Sequence, residues 1–113
     1  DEAERLHYES LEIDKELGKK EGIGRSLQNL GVIAARRGDL DEAERLYNES
    51  LEIKREMGNK EGFALSLVGL AIIARKRGHL DEAERLFREA IVIKKEVGIP
   101  LYDWEQEFDE RDD

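Results

Sequence analysis

Any chemistry in this chain would have to start from His7 and His79, its two histidines, and from close carboxylates such as Glu42 with Glu44 and Glu49 with Glu52. A histidine beside a nucleophile can act as general base, and one sharing a face with a second donor can hold a metal. Neither arrangement assembles here. His7 stands where Tyr47 and Phe87 stand forty and eighty residues later, which reads as packing, and His79 falls in a turn with no second ligand spaced to share its face. Gly22 and Gly24 lack the preceding strand and the GxxxxGK[ST] run of a phosphate-cradling loop. Cysteine is absent, so thiolate zinc sites, disulfides and cysteine nucleophiles are excluded. The expectation is a non-enzymatic chain with no cofactor and no metal.

The carboxylates belong instead to a repeating pattern. The hexapeptide DEAERL occurs at Asp1 to Leu6, Asp41 to Leu46 and Asp81 to Leu86, and residues 1–40 match residues 41–80 at 24 of 40 positions. A fixed period of this length marks a solenoid array. Within one period Ala43, Leu46, Tyr47, Ser50, Leu51 and Met57 fall on one helical stripe, predicting an amphipathic helix of about four turns. Gly58 can end it in the left-handed conformation and Asn59 can cap the next helix, which runs from Lys60 to Arg77 with Phe63, Leu67, Leu70, Ala71 and Ala74 facing inward. So short a turn implies an antiparallel hairpin. Asp39, three residues before Glu42, offers a capping box, whereas His79 replaces it one period later. Small residues at Gly31, Ala71, Ala43 and Ala83 mark close helix contacts, and Ala43→Leu is expected to cost about 1–3 kcal/mol through overpacking.

Charge limits the partners. The 113 residues are 42% charged, with a formal net charge of −9. Most of the excess sits in the last fifteen residues, where seven acids face Arg111 alone. No net-basic footprint exists for nucleic acid, and no apolar run approaches the ~18 residues of a membrane span. Absence of cysteine fits a cytoplasmic setting. The missing initiator Met and the start inside a repeat suggest a piece of a longer protein.

The run Leu27, Leu30, Gly31, Ala34, Gly38, Asp39, Leu40, Ala43, Tyr47, Ser50, Leu51, returning as Leu67, Leu70, Ala71, Ala74, Gly78, Leu80, Ala83, Phe87, Ala90, Ile91, resembles a tetratricopeptide repeat. The forty-residue period is longer than the usual 34, as in arrays resembling kinesin light chains and prokaryotic regulators, and the proline that usually closes a repeat is absent. The resemblance implies an all-α superhelical array of antiparallel hairpins over residues 1–98, with a half repeat at 1–18, complete helix pairs at 19–58 and 59–98, and an acidic aromatic tail at 99–113. DEAERL then opens the second-type helices, its acids near the positive end of the helix dipole and its Ala and Leu against a neighbour.

The same resemblance implies that first-type helices line a concave groove that binds a peptide or partner protein. The groove candidates are Arg25, Gln28, Asn29, Val32 and Arg36, with Leu65, Val68, Ile72 and Lys76 one period later, where Gly69 replaces Asn29, and with Arg75 adding positive charge beside them. The segment LSLVGLAIIA, residues 65–74, is apolar nearly all round, and Leu65, Val68 and Ile72 form a second stripe that neighbouring repeats are expected to leave open. Chaperone-binding members clamp a C-terminal carboxylate with Lys and Asn; Gln28 and Val32 stand at the corresponding positions, which argues against that clamp. After Pro100 the repeat fails, and Tyr102, Trp104 and Phe108 alternate with acids, either as a capping helix or as an arm reaching a groove. Val92 replaces the Glu12 and Glu52 of its siblings, and Ala90 replaces Ser10 and Ser50, which points to something covering that face and to a homodimer or higher oligomer. The alternative function is accordingly a self-associating scaffold.

Overall fold

Helix boundaries follow the capping chemistry. In the computed structural model, which describes residues 1–110, six α-helices succeed one another: α1 (Glu2–Leu17), α2 (Lys20–Arg36), α3 (Leu40–Met57), α4 (Lys60–Lys76), α5 (Leu80–Val97) and α6 (Asp103–Glu110). The last three residues of the tail lie outside the described ones. Gly18, Gly58 and Gly98 close α1, α3 and α5 in the left-handed conformation, with φ of 69°, 69° and 78°, where a Cβ would be strained. Asp39 accepts a hydrogen bond from the Glu42 backbone N–H, and Asn59 accepts one from Gly62 at 2.8 Å. His79 gives α5 no such cap. The helix opened by the second DEAERL has 18 residues, close to five turns at 3.6 residues each rather than the four expected.

Consecutive helices pack against each other, most extensively in the hairpins α2–α3 and α4–α5. Two apolar clusters result. The first joins Leu11, Ile23, Leu27, Leu30, Ala43, Leu46, Tyr47 and Ile73; the second joins Ala64, Leu67, Ala71, Ala74, Leu86, Phe87 and Ala90. α4 supplies residues to both, which is why its sequence is apolar nearly all round. The Tyr47 ring of α3 enters a slot that glycine keeps open: a Cβ added at Gly69 would lie 2.5 Å from it, and one at Gly31 would lie 3.1 Å from it. Gly69 is therefore a packing residue, not part of an open face.

The layers differ in how closely they approach. Among the described helices, the backbones of α2 and α4 approach each other closely, whereas those of α1, α3 and α5 stay farther apart. Rows of unequal spacing curve toward the tighter row, so α2 and α4 form the inner layer and the second-type helices the outer one. Ion pairs repeat with the array: Lys20–Glu56 (3.2 Å) with Lys60–Glu96 (2.6 Å), and Arg37–Glu4 (2.9 Å) with Arg77–Glu44 (3.3 Å). The third residue after the aspartate thus belongs to an inter-repeat seam in the first two copies of DEAERL.

Candidate interaction surface

The inner layer sorts the ten groove residues into two groups. Arg25, Val32, Arg36, Leu65, Arg75 and Lys76 are exposed, and Asn29 is half-buried. Gln28, Val68 and Ile72 are taken up by the array. Gln28 Nε2 donates to the Gly62 carbonyl at 3.0 Å and to Ser66 Oγ at 2.9 Å, and Ser66 Oγ lies 3.0 Å from Ser50 Oγ. With both serines fully buried, this chain of polar atoms pins α2, α4 and α3 together, and each buried hydroxyl gains the partner that burial demands. Val68 and Ile72 are half-buried against the second cluster. The expected open stripe of Leu65, Val68 and Ile72 is corrected accordingly: only Leu65, at 54% exposure, remains uncovered.

Electrostatics at the inner layer are simple. Arg25 lies 3.7 Å from Glu21, and Arg75 stacks over the Phe87 ring at 5.8 Å. Arg36 and Lys76, equivalent across the repeat, are in no ion pair among the described residues. Burial pushes the Tyr47 phenol above the usual tyrosine range, and the Arg36 charge acts against that shift. On the outer layer, the hydrogen bond from Arg37 holds the Glu4 carboxyl below its usual range.

The described part of the tail, α6, packs on the array. Glu105, fully buried, accepts from Lys94 Nζ at 2.6 Å and from the Tyr102 backbone N–H at 2.9 Å. Trp104 meets Phe87 edge to face with centroids 5.3 Å apart, and Phe108 lies 5.8 Å from the same ring. Tyr102 and half of Trp104 stay exposed. The covering expected over Val92 is not supplied by the described residues, among which Val92 is 61% exposed. Ala90 adds no open apolar surface, because it is fully buried within the second cluster. The sequence reading missed the Gln28–Ser66–Ser50 chain and the Lys94–Glu105 pair. A signal existed for the first, because serine recurs at 26 and 66 and at 10 and 50.

Between the C-terminus of α4, the first half of α5 and α6 lies a cleft of about 680 Å³, lined by Leu80, Ala83, Glu84, Phe87, Trp104 and Phe108 among others. Of the ten groove residues only Arg75 reaches it. No group of three or more His, Asp or Glu able to hold a metal occurs among the described residues, and no described helix is long and apolar enough to cross a membrane.

A curved stack of antiparallel helical hairpins, with small residues at the crossings and an exposed inner layer, defines a helical-repeat protein of the kind that offers surfaces to other proteins. Two family models, both described as tetratricopeptide repeat, match residues 1–56 and 63–97, and the chain belongs to that family. Repeats of this family generally mediate protein–protein interaction. Comparison with curated proteins gives no match.

Proposed function

We propose that this chain is a non-enzymatic, cytoplasmic interaction module whose inner layer holds an acidic peptide segment with an apolar anchor. The supporting observation is the pair Arg36 and Lys76: two equivalent cations on adjacent first-type helices, exposed and in no ion pair among the described residues, in a chain of net charge −9 whose other long cations are mostly paired. Arg25 and Arg75 add charge, Asn29 can donate to a peptide carbonyl, and Leu65 with Val32 can take an apolar side chain. A synthetic Asp- and Glu-rich nonapeptide with one central leucine is the probe. Titrated against the wild type and the Arg36→Glu/Lys76→Glu double variant, it should bind the variant about a hundredfold more weakly, since reversing both charges turns attraction into repulsion. Equal affinities would remove the groove.

Exposed Val92 favours a second reading, in which the outer layer joins copies of the chain. Val92→Glu restores the residue type of Glu12 and Glu52 and should leave a monomer if that face is the contact. An oligomer of unchanged mass in sedimentation would eliminate it.

A further inference from the structure

We propose that the cleft beside α6 docks a short helix of another polypeptide, one presenting an aliphatic residue and, four positions later, an arginine. The chain fills a duplicate of this cleft itself. On α3 the face of Leu40, Ala43, Glu44 and Tyr47 is covered by the C-terminal half of α4. There Ile73 enters the cluster with Ala43 and Tyr47, and Arg77, four residues on, donates to Glu44 and to Asp41. On α5 the face returns at identical spacing as Leu80, Ala83, Glu84 and Phe87, with Asp81 for Asp41. α6 has 8 residues where α4 has 17, and its rings reach Phe87. The remaining stretch is the cleft: Leu80 is 65% exposed where Leu40 is half-buried, and Asp81 is in no ion pair among the described residues.

Charge selects the occupant. Asp81 and Glu84 reproduce the carboxylates that Arg77 bridges one period earlier, and a guanidinium fork can reach two carboxylates at once where an ammonium serves as a point charge. Arg75 and Arg88 also line the cleft, but each is stacked on a ring, Phe87 and Phe108, and Arg88 meets Glu84 through Oε1 alone, which leaves the other oxygen and Asp81 for the incoming cation. Leu80 and Ala83 provide the apolar floor. A second copy is a poor occupant, because its uncovered α1 face around Leu6, Ile13 and Leu17 carries Glu2, Glu9, Glu12 and Glu16, whose charge repels Asp81 and Glu84. The chain's own Arg37 and Arg77 are already engaged.

Trp104 is the only tryptophan and lines the cleft, so its emission reports occupancy. The probe is a synthetic peptide of residues 19–38, which carries Ile33 and Arg37 at the required spacing. Added to the full chain it should give a saturable change in Trp104 emission, weakened about tenfold or more by Arg37→Glu in the peptide. Leu80→Glu in the protein should abolish the change; that side chain is exposed, and unchanged helicity by circular dichroism verifies the fold. The Arg36→Glu/Lys76→Glu variant should bind this peptide as the wild type does, separating the cleft from the inner layer. Absence of any change, equal affinity for the charge-reversed peptide, or full binding by Leu80→Glu overturns the proposal. So does Trp104 emission that depends on protein concentration without peptide and loses that dependence in Leu80→Glu, because a second copy would then fill the cleft.

Discussion

α3 and α5 open with the same six residues and meet different neighbours. α3 lies between two 17-residue helices, and its Tyr47 ring fills the slot between Gly31 and Gly69. α5 has α4 on one side and the 8-residue α6 on the other, and its Phe87 meets aromatic rings in place of glycine backbone. The lysines one helical face along differ in the same sense. Lys54 runs its stem across Gly24 and Gly62, where a Cβ would lie 3.0 and 2.6 Å from it, whereas Lys94 ends on the buried Glu105. One string of residues thus supports an interior joint closed by shape and a terminal joint closed by rings and one buried ion pair.

The largest test of that contrast is truncation of the two rings. Tyr47→Ala should destabilise by about 3–5 kcal/mol in urea unfolding, since the slot is walled by backbone that cannot collapse. Phe87→Ala should lose less, because α6 can shift to follow it; equal losses would break the contrast. Next comes Glu105→Ala, which leaves Lys94 buried without its acid at a cost of up to about 3 kcal/mol. Because α6 can detach, most of this should register as a red shift of Trp104 emission, with little change in the main unfolding midpoint. Should the two move together, α6 is part of the cooperative core.

Gly69→Ala sharpens the interior joint, and a loss of about 1–3 kcal/mol is expected from overpacking against the ring. In a Tyr47→Leu background the sign should reverse, with up to about 1 kcal/mol gained from helix propensity. Arg77→Ala should cost about 1 kcal/mol or less, with the loss shrinking in 1 M salt, because its acceptors Asp41 and Glu44 are exposed. The smallest effect is the alkaline limb. Burial raises the Tyr47 phenol, so the folded state keeps a proton that the unfolded chain releases near pH 10. The associated stability is complete below that value and declines as pH rises through the higher folded value. Tyr47→Phe, which copies the residue of α5, should flatten that decline; Tyr8, also raised by burial, should preserve part of it.

Much of the array was legible because its determinants are local and repeated. Gly58 and Asn59 marked one helix end and the next start, and both act there as read. The inner-layer surface was less legible. Gln28 and Val68 are equivalent in register, and both were read as open; one hydrogen-bonds to the next first-type helix and the other packs on the second cluster. Helical spacing places a side chain on a face, but it does not say how close the neighbouring helix comes. The Ser50 to Ala90 change points to a face that needs covering, yet Ala90 is itself fully buried, whereas Ser50 meets Ser66.

The sequence alone determined the helices, their turns, the forty-residue period and the family, because caps, left-handed glycines and apolar spacing act within one or two turns of chain. Tertiary structure decided which of the equivalent positions stay open. Burial depends on the length and approach of a neighbouring helix, so Leu40 and Leu80, at the same place in the repeat, end up half-buried and bare.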